Sequence, residues 1–238
     1  VVIIVVEINV SEVEKIFSVI AKRYDILNSI LTLNIDRLWR RKAIKICDIK
    51  EGQKVLDLCC GTGQMINYEC KSVGKNTTVI GIDFSQEMLN VGAKRLSESL
   101  KDYSYKLIKG SITKLPFEEN TFDCITIAFG LRNIADKNKA LSEMYRVLKP
   151  GGKVICLELS KPNIPILKNI YDLYFNYVLP TVGSIGTGDK EAYYYLRDSV
   201  NMFMSKKLLK EKFSEIGFKD AGYKSLTFGI SSIHYGIK

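Results

Sequence analysis

The sequence contains one histidine, one tryptophan and five prolines, and its six cysteines form no C-x-x-C pair. Without a His/Cys cluster of ligand spacing, no structural zinc is expected and no metal site is assigned. Three of the cysteines (47, 59, 60, 70, 124 and 156) sit in apolar, strand-like runs, where a thiol behaves as a small hydrophobe. A reduced, cytoplasmic protein is therefore expected. Long hydrophobic runs are also missing. The opening VVIIVVEINV is too short to span a bilayer, is interrupted by Glu7, and lacks the basic start and cleavage site of a signal peptide. It reads as an N-terminal extension. Acidic residues are in deficit, 26 against 35 Lys and Arg, for a net charge of +9. That balance invites a nucleic acid or an anionic membrane face. The Lys-, Ile-, Asn- and Tyr-rich composition of an AT-rich genome explains it equally. The basic residues are dispersed rather than gathered along a groove, so no nucleic-acid partner is expected.

With 238 residues, 46% hydrophobic and 26% charged, the chain suits one α/β domain with additions. Strand-like runs at 54–59, 77–83, 104–109, 122–129 and 153–159 alternate with helical stretches at 64–73, 86–100 and 136–148. Further helices are expected at 12–24, 36–47 and 205–216. The alternation predicts a doubly wound, Rossmann-like parallel sheet. Two more runs, 218–227 and 230–237, are joined by Gly229, a link short enough for an antiparallel edge hairpin that completes seven strands. Residues 1–50 form an extension and helical lid segment, and 51–238 the main body of a single domain. The aromatic stretch 161–203 reads as an insertion covering a ligand. Within it, Tyr171, Tyr174, Phe175 and Tyr177 recur at helical spacing, either as a packed face or as a wall for an apolar tail.

The most informative segment is VLDLCCGTG, residues 55–63. An apolar strand ends in Asp57, and Gly61 and Gly63 then let the backbone turn sharply beneath a ligand. A second strand, TTVIGID, ends in Asp83, placed to hold ribose hydroxyls. A dinucleotide fingerprint requires a third glycine, and Ile66 stands there, so a pyrophosphate-binding dehydrogenase is disfavoured. The remaining candidate is S-adenosylmethionine, whose amino-acid end needs a tight turn and a nearby acid. Further on, ALSEMYRVLKPGGKVICLELS reads as an amphipathic helix, a Pro-Gly-Gly turn and a strand.

From Phe17 to Lys238 the chain resembles the menaquinone/ubiquinone biosynthesis C-methyltransferases, the UbiE family. The resemblance rests on FSVIAKRYDILNSILTL, LWRR, DLCCGTG, FGLRN, ALSEMYRVLKPGG, YDLYF, YYYLRDSV and LTFGISSIHYGIK. D-x-x-x-G-T-G and LKPGG mark only the wider class I S-adenosylmethionine-dependent methyltransferases, whereas RYDILN, FGLRN and H-x-G-x-K are more specific. It implies methyl transfer to a ring carbon of a polyprenylated quinol, with demethylmenaquinol favoured over a ubiquinone-pathway benzoquinol. It marks Thr62, Asp83, Ser111, Ile112 and Ala128 as cofactor positions. Asp57, Gly61, Gly63 and Phe84 complete the expected set. Ser111 stands where Asp or Asn is common, Ala128 where Ser is, and Gln64 replaces a frequent Asp.

Carbon methylation needs an electron-rich ring, so the implied acceptor is the reduced quinol, ionised at a phenolic oxygen whose pKa is ordinarily about 10. Arg132 and Asn133 are the candidates for stabilising that oxyanion, the alternative being that Arg132 caps the strand end by pairing with a local acid. Asp25, Tyr195 and His234 are candidate bases, with structural roles open for each. Trp39, Arg40, Arg41 and Lys42 suit a membrane surface or a solvated helix face. The implied partners are a lipid quinol, the inner face of the membrane and a second copy in a homodimer. Rival readings are a nucleic-acid methyltransferase, a small-molecule or phospholipid methyltransferase, and a non-catalytic cofactor-binding protein.

Overall fold

Val55, Leu56, Asp57 and Leu58 are all buried, as a strand covered on both faces must be. This strand, β1 (Val55–Leu58), pairs in parallel with β2 (Thr78–Asp83) on one side and β4 (Phe122–Ala128) on the other. Outside β2 runs β3 (Ser104–Lys109), and beyond β4 run β5 (Leu148–Leu159), β7 (Ser231–Ile237) and β6 (Lys219–Leu226). The order β3-β2-β1-β4-β5-β7-β6 reverses at β1, and the loops after β1 and β4 part there to leave a crevice at the strand ends. β7 is antiparallel to both neighbours, which forms the expected edge hairpin. The structure is a computed structural model and describes residues 10–21, 24–162 and 191–238.

Helices cover both faces. On one lie α3 (Ile35–Cys47), α4 (Gln64–Val73) and α5 (Gln86–Ser99), whose Trp39, Ile66 and Leu96 enter a core with Val55, Val79 and Ile155. On the other lie α6 (Lys137–Val147) and, after the described helix α7 (Glu191–Met202), α8 (Lys206–Ile216). Leu141, Met144, Leu209 and Phe213 from that side pack on Leu56, Ile125 and Val154. Side-chain caps start several helices: Ser85 accepts from the Met88 N–H and Asp136 from the Lys139 N–H.

Three local expectations need correction. The stretch 12–24 is two helices, α1 (Val10–Ile20) and α2 (Tyr24–Leu31), which lets α2 turn onto the glycine loop. β5 begins at Leu148, before the Pro-Gly-Gly turn, because Leu148 pairs with Phe122 and pairing resumes at Cys124 with Lys153. Cys47 and Cys124 form a disulfide between α3 and β4, so the six thiols are not all reduced. The tyrosine-rich residues 171–177 lie outside the described residues.

Candidate active site

The loop after β1 turns through left-handed backbone at Cys59 (φ 51°), Gly61 (φ 53°) and Gly63 (φ 73°). Its shape is held from β2: the Gly61 N–H donates to Asp83 Oδ2 at 2.8 Å and the Cys60 N–H to the Ile82 carbonyl at 2.9 Å. Asp83 Oδ1 accepts from the Ser85 N–H, so one carboxylate joins the glycine loop to the start of α5. The third-glycine position explains itself here. Ile66 of α4 packs so closely on β2 that a Cβ at Gly81 would lie 2.5 Å from its Cδ1. The close helix–strand approach is made by the strand's glycine instead of the helix's.

A cavity at the crevice is lined by Asp57, Cys59, Cys60, Gly61, Thr62 and Asp83 from the first two strand ends, and by Ala128 at the end of β4 and Phe129, Gly130 and Asn133 after it. Phe17, Tyr24 and Arg40 close it from the N-terminal helices. Phe17 sits edge-on to Tyr24, Phe84 and Tyr195, with ring centroids 5.8, 6.1 and 6.4 Å away, and so joins the wall made by α2 to α7. The polar end contains two atoms with unmet hydrogen-bonding capacity. Among the described residues Asp57 Oδ2 has no hydrogen-bond partner, and Arg40 Nε lies 3.6 Å from Asp36 Oδ2, too long for a hydrogen bond. Burial pushes the Asp57 carboxyl up to about 7. An amino-acid zwitterion offers a cation to Asp57 and an anion to Arg40, while a ribose diol suits Asp83. These residues fit S-adenosylmethionine.

A profile of the ubiE/COQ5 methyltransferase family matches residues 5–238. The chain belongs to that family. Demethylmenaquinone methyltransferase of Staphylococcus aureus strain JH9 is 44% identical over 230 residues, which covers 97% of this chain and 94% of that protein. Among solved structures, a SAM-dependent methyltransferase from Aquifex aeolicus superposes with a TM-score of 0.61 at 22% identity, covering 83% of this chain and 88% of that one. Phosphoethanolamine N-methyltransferase 2 of Haemonchus contortus, in complex with S-adenosyl-L-methionine, gives 0.62 at 18% identity, covering 84% of this chain and 52% of that one. The two structures speak for the fold; family membership makes this chain an S-adenosylmethionine-dependent methyltransferase.

The sequence-predicted residues divide. Asp57, Gly61, Thr62, Asp83, Phe84, Ala128 and Asn133 meet at the cavity. Gly63 sits behind them as the residue before α4. Ser111 lies outside the lining, exposed and bonded to Thr113, and Ile112 is buried in the core beside Leu115 and Leu131.

Arg132 does not line the cavity. Its guanidinium is buried, ion-paired with Glu158 at 2.6 Å, and bonded to the Phe129 carbonyl and Ser199. Asn133, next in the turn, faces the cavity and accepts from the Tyr195 hydroxyl at 2.9 Å. Burial pushes that phenol up to about 12, so it keeps its proton at neutral pH. Asp25 is spent on the glycine loop: it accepts from Thr62 and Gln64 and is paired with Arg95.

His234 lies in β7, away from the cavity lining, buried against Phe213 with Nε2 2.9 Å from the Lys206 carbonyl. Burial lowers its pKa from 6.5 to about 4. The unfolded chain therefore binds the extra proton between those values. Stability from neutral His234 is complete above pH 6.5 and is lost as pH falls toward 4, by roughly 3 kcal/mol. Urea titrations across that window should show the loss, and a flatter profile in His234→Gln. An unchanged profile would reject it.

Sequence reasoning missed Phe17, Tyr24 and Arg40. Trp39 and Arg40, expected at a membrane surface or on a solvated helix face, are both buried: Trp39 donates to Thr227 Oγ1 at 2.8 Å, and Arg40 stacks 4.9 Å over Phe129. The available signal was Asp36 one helical turn before Arg40, in register with Ala43 and Cys47 on the buried face.

Proposed function

We propose that the chain transfers a methyl group from S-adenosylmethionine to the ring carbon of reduced demethylmenaquinol. The observation that carries this reading is the joining of a polar end, Asp57, Arg40 and Asp83, to an aromatic mouth of Phe17, Tyr24, Phe84 and Phe129. The first matches an amino acid and ribose, the second a flat apolar ring, and the Staphylococcus aureus relative carries the corresponding name.

When bound, S-adenosylmethionine supplies an activated methyl group. The chain's own task is to orient the ring and favour its ionised oxygen. Asn133 is the cavity-lining group suited to donate to that oxygen, because its Oδ1 is already committed to Tyr195 and its amide hydrogens are left to point elsewhere. Arg132 acts through Asn133 by fixing the turn that presents it. Alignment of ring carbon and methyl group supplies the rest of the acceleration.

The membrane reading is retained for Arg41 and Lys42 but not for the buried Trp39 and Arg40. Leu33, in the turn before α3, and Leu38 are 78% and 53% exposed, beside the exposed Arg37, Arg41, Lys42 and Lys45, and this face of α3 with its leading turn suits peripheral contact with an anionic membrane. Among the described residues no helix is long and apolar enough to cross a membrane.

Methyl transfer followed by mass spectrometry, with reduced demethylmenaquinol, its oxidised form, a matched benzoquinol and RNA as acceptors, tests the proposal. A methylated naphthoquinol, formed only from the reduced acceptor, is expected. Product on RNA or benzoquinol alone, or none on any acceptor despite cofactor binding, would overturn it.

A further inference from the structure

Behind the cofactor cavity two buried acids share one hydroxyl. Asp57 on β1 and Thr126 on β4 are cross-strand partners, and Glu69 of α4 reaches the same point. Thr126 Oγ1 lies 2.9 Å from Asp57 Oδ1 and 2.6 Å from Glu69 Oε1. All three residues are buried, with Glu69 at 0% exposure, and among the described residues Asp57 Oδ2 and Glu69 Oε2 have no hydrogen-bond partner.

A threonine hydroxyl has one hydrogen and cannot donate to two carboxylates at once. With both acids ionised, one oxygen–oxygen contact of hydrogen-bond length would contain no hydrogen. One acid must therefore hold a proton and donate it to Thr126. Among the described residues, the charged or titratable groups acting on Asp57 are Arg40 of α3 and Asp83 of β2, and its charge is felt by Cys59 and Cys60 in the loop. Glu69 has Asp57 and Thr126, with Cys60 and Cys70 responding to it, and no cation among these. The one cation, Arg40, favours charge on Asp57. Burial without a counter-ion favours the neutral acid at Glu69.

We propose that Glu69 is a positioning residue of the cofactor site: it stays protonated, donates to Thr126, and so turns the threonine hydroxyl toward an anionic Asp57 that receives the cofactor's ammonium group. The chain reads Glu69 O–H to Thr126 Oγ1, then Thr126 O–H to Asp57 Oδ1, leaving Oδ2 for the ligand. One proton rests on Glu69 and one on Thr126, and no bond to carbon changes. This rests on the assignment of the cofactor, and the test separates the two.

Infrared difference spectra of the ligand-free protein at pH 7.5 locate the proton. The carbonyl stretch of a protonated carboxylic acid should be present in the wild type, retained in Asp57→Asn and lost in Glu69→Gln. Its loss in Asp57→Asn and survival in Glu69→Gln would overturn the proposal. Calorimetric titration with S-adenosylhomocysteine, which keeps the amino-acid end, reads the coupling. Glu69→Gln, whose amide also donates, should bind within about threefold of wild type. Thr126→Val should bind at least tenfold more weakly, as loss of a hydrogen bond to a charged group predicts. Equal losses in both variants would mean that Glu69 is merely structural and would overturn the positioning role. Wild-type protein that binds no S-adenosylhomocysteine would instead sink the cofactor assignment, while the infrared result still decides where the proton sits.

Discussion

Arg132→Ala is expected to destabilise the protein by about 3–5 kcal/mol and to abolish most methyl transfer. The stability loss follows from what remains. Glu158 is 1% exposed at its side chain, and without Arg132 its charge would be buried with, among the described residues, the backbone N–H groups of residues 132 and 159 as its donors. The activity loss has a different origin. Arg132 binds the Phe129 carbonyl and ties the turn to β5 and α7, so Asn133 loses its fixed direction toward the cavity. A second variant separates these effects. Arg132→Ala combined with Glu158→Ala removes the stranded charge and should recover much of the stability, measured by urea unfolding, without recovering kcat. Recovery of both would show that Arg132 contributes nothing to orientation, and full activity in a folded Arg132→Ala would dismiss the site role altogether.

Asp83→Ala should weaken binding of S-adenosylhomocysteine by a hundredfold or more. The carboxylate has two duties. It accepts from the Gly61 and Ser85 N–H groups, which holds the glycine loop against the start of α5, and it lines the cavity where a ribose would lie. Hydrogen bonds to a charged group contribute about 1.5–3 kcal/mol each, so losing the loop contacts and the ligand contact together exceeds the two factors of ten named here. Asp83→Asn keeps one acceptor oxygen and should fall between wild type and alanine. Calorimetry on both variants, alongside their thermal unfolding, checks the order. Wild-type affinity in a folded Asp83→Ala would remove the ribose assignment.

Much of this protein was legible in its residues. Short, largely apolar runs that alternate with helical stretches and carry an acid or a glycine near their ends read as strands of a parallel sheet, so β1, β2 and β4 and the crevice at their ends follow from local pattern. Asp57, Gly61 and Asp83 were legible for the same reason: turn geometry and an acid at a strand end are encoded within a few neighbouring positions. The break between α1 and α2 was not, because it depends on where α2 must land. Asp25 docks on Thr62, Gln64 and Arg95, all far away in sequence.

Side-chain roles divided along the same line. A charge in a sequence reads as solvent-facing until its partner is known, and the partners are long-range. Glu158 holds Arg132 in a buried ion pair away from the cavity lining, and Phe129 receives Arg40 into the cavity wall. His234 shows the converse, since a lone histidine with a suitable ordinary pKa is withdrawn into the hairpin core by Phe213 and the Lys206 carbonyl. The doubly wound arrangement, the glycine turn and the acids at the ends of the first two strands were legible in the sequence alone, because local backbone preference and burial periodicity set them. Which acids are paired, which arginine faces the ligand and which carboxyl keeps its proton were decided only by the tertiary structure, because burial and counter-charge arise when distant segments meet.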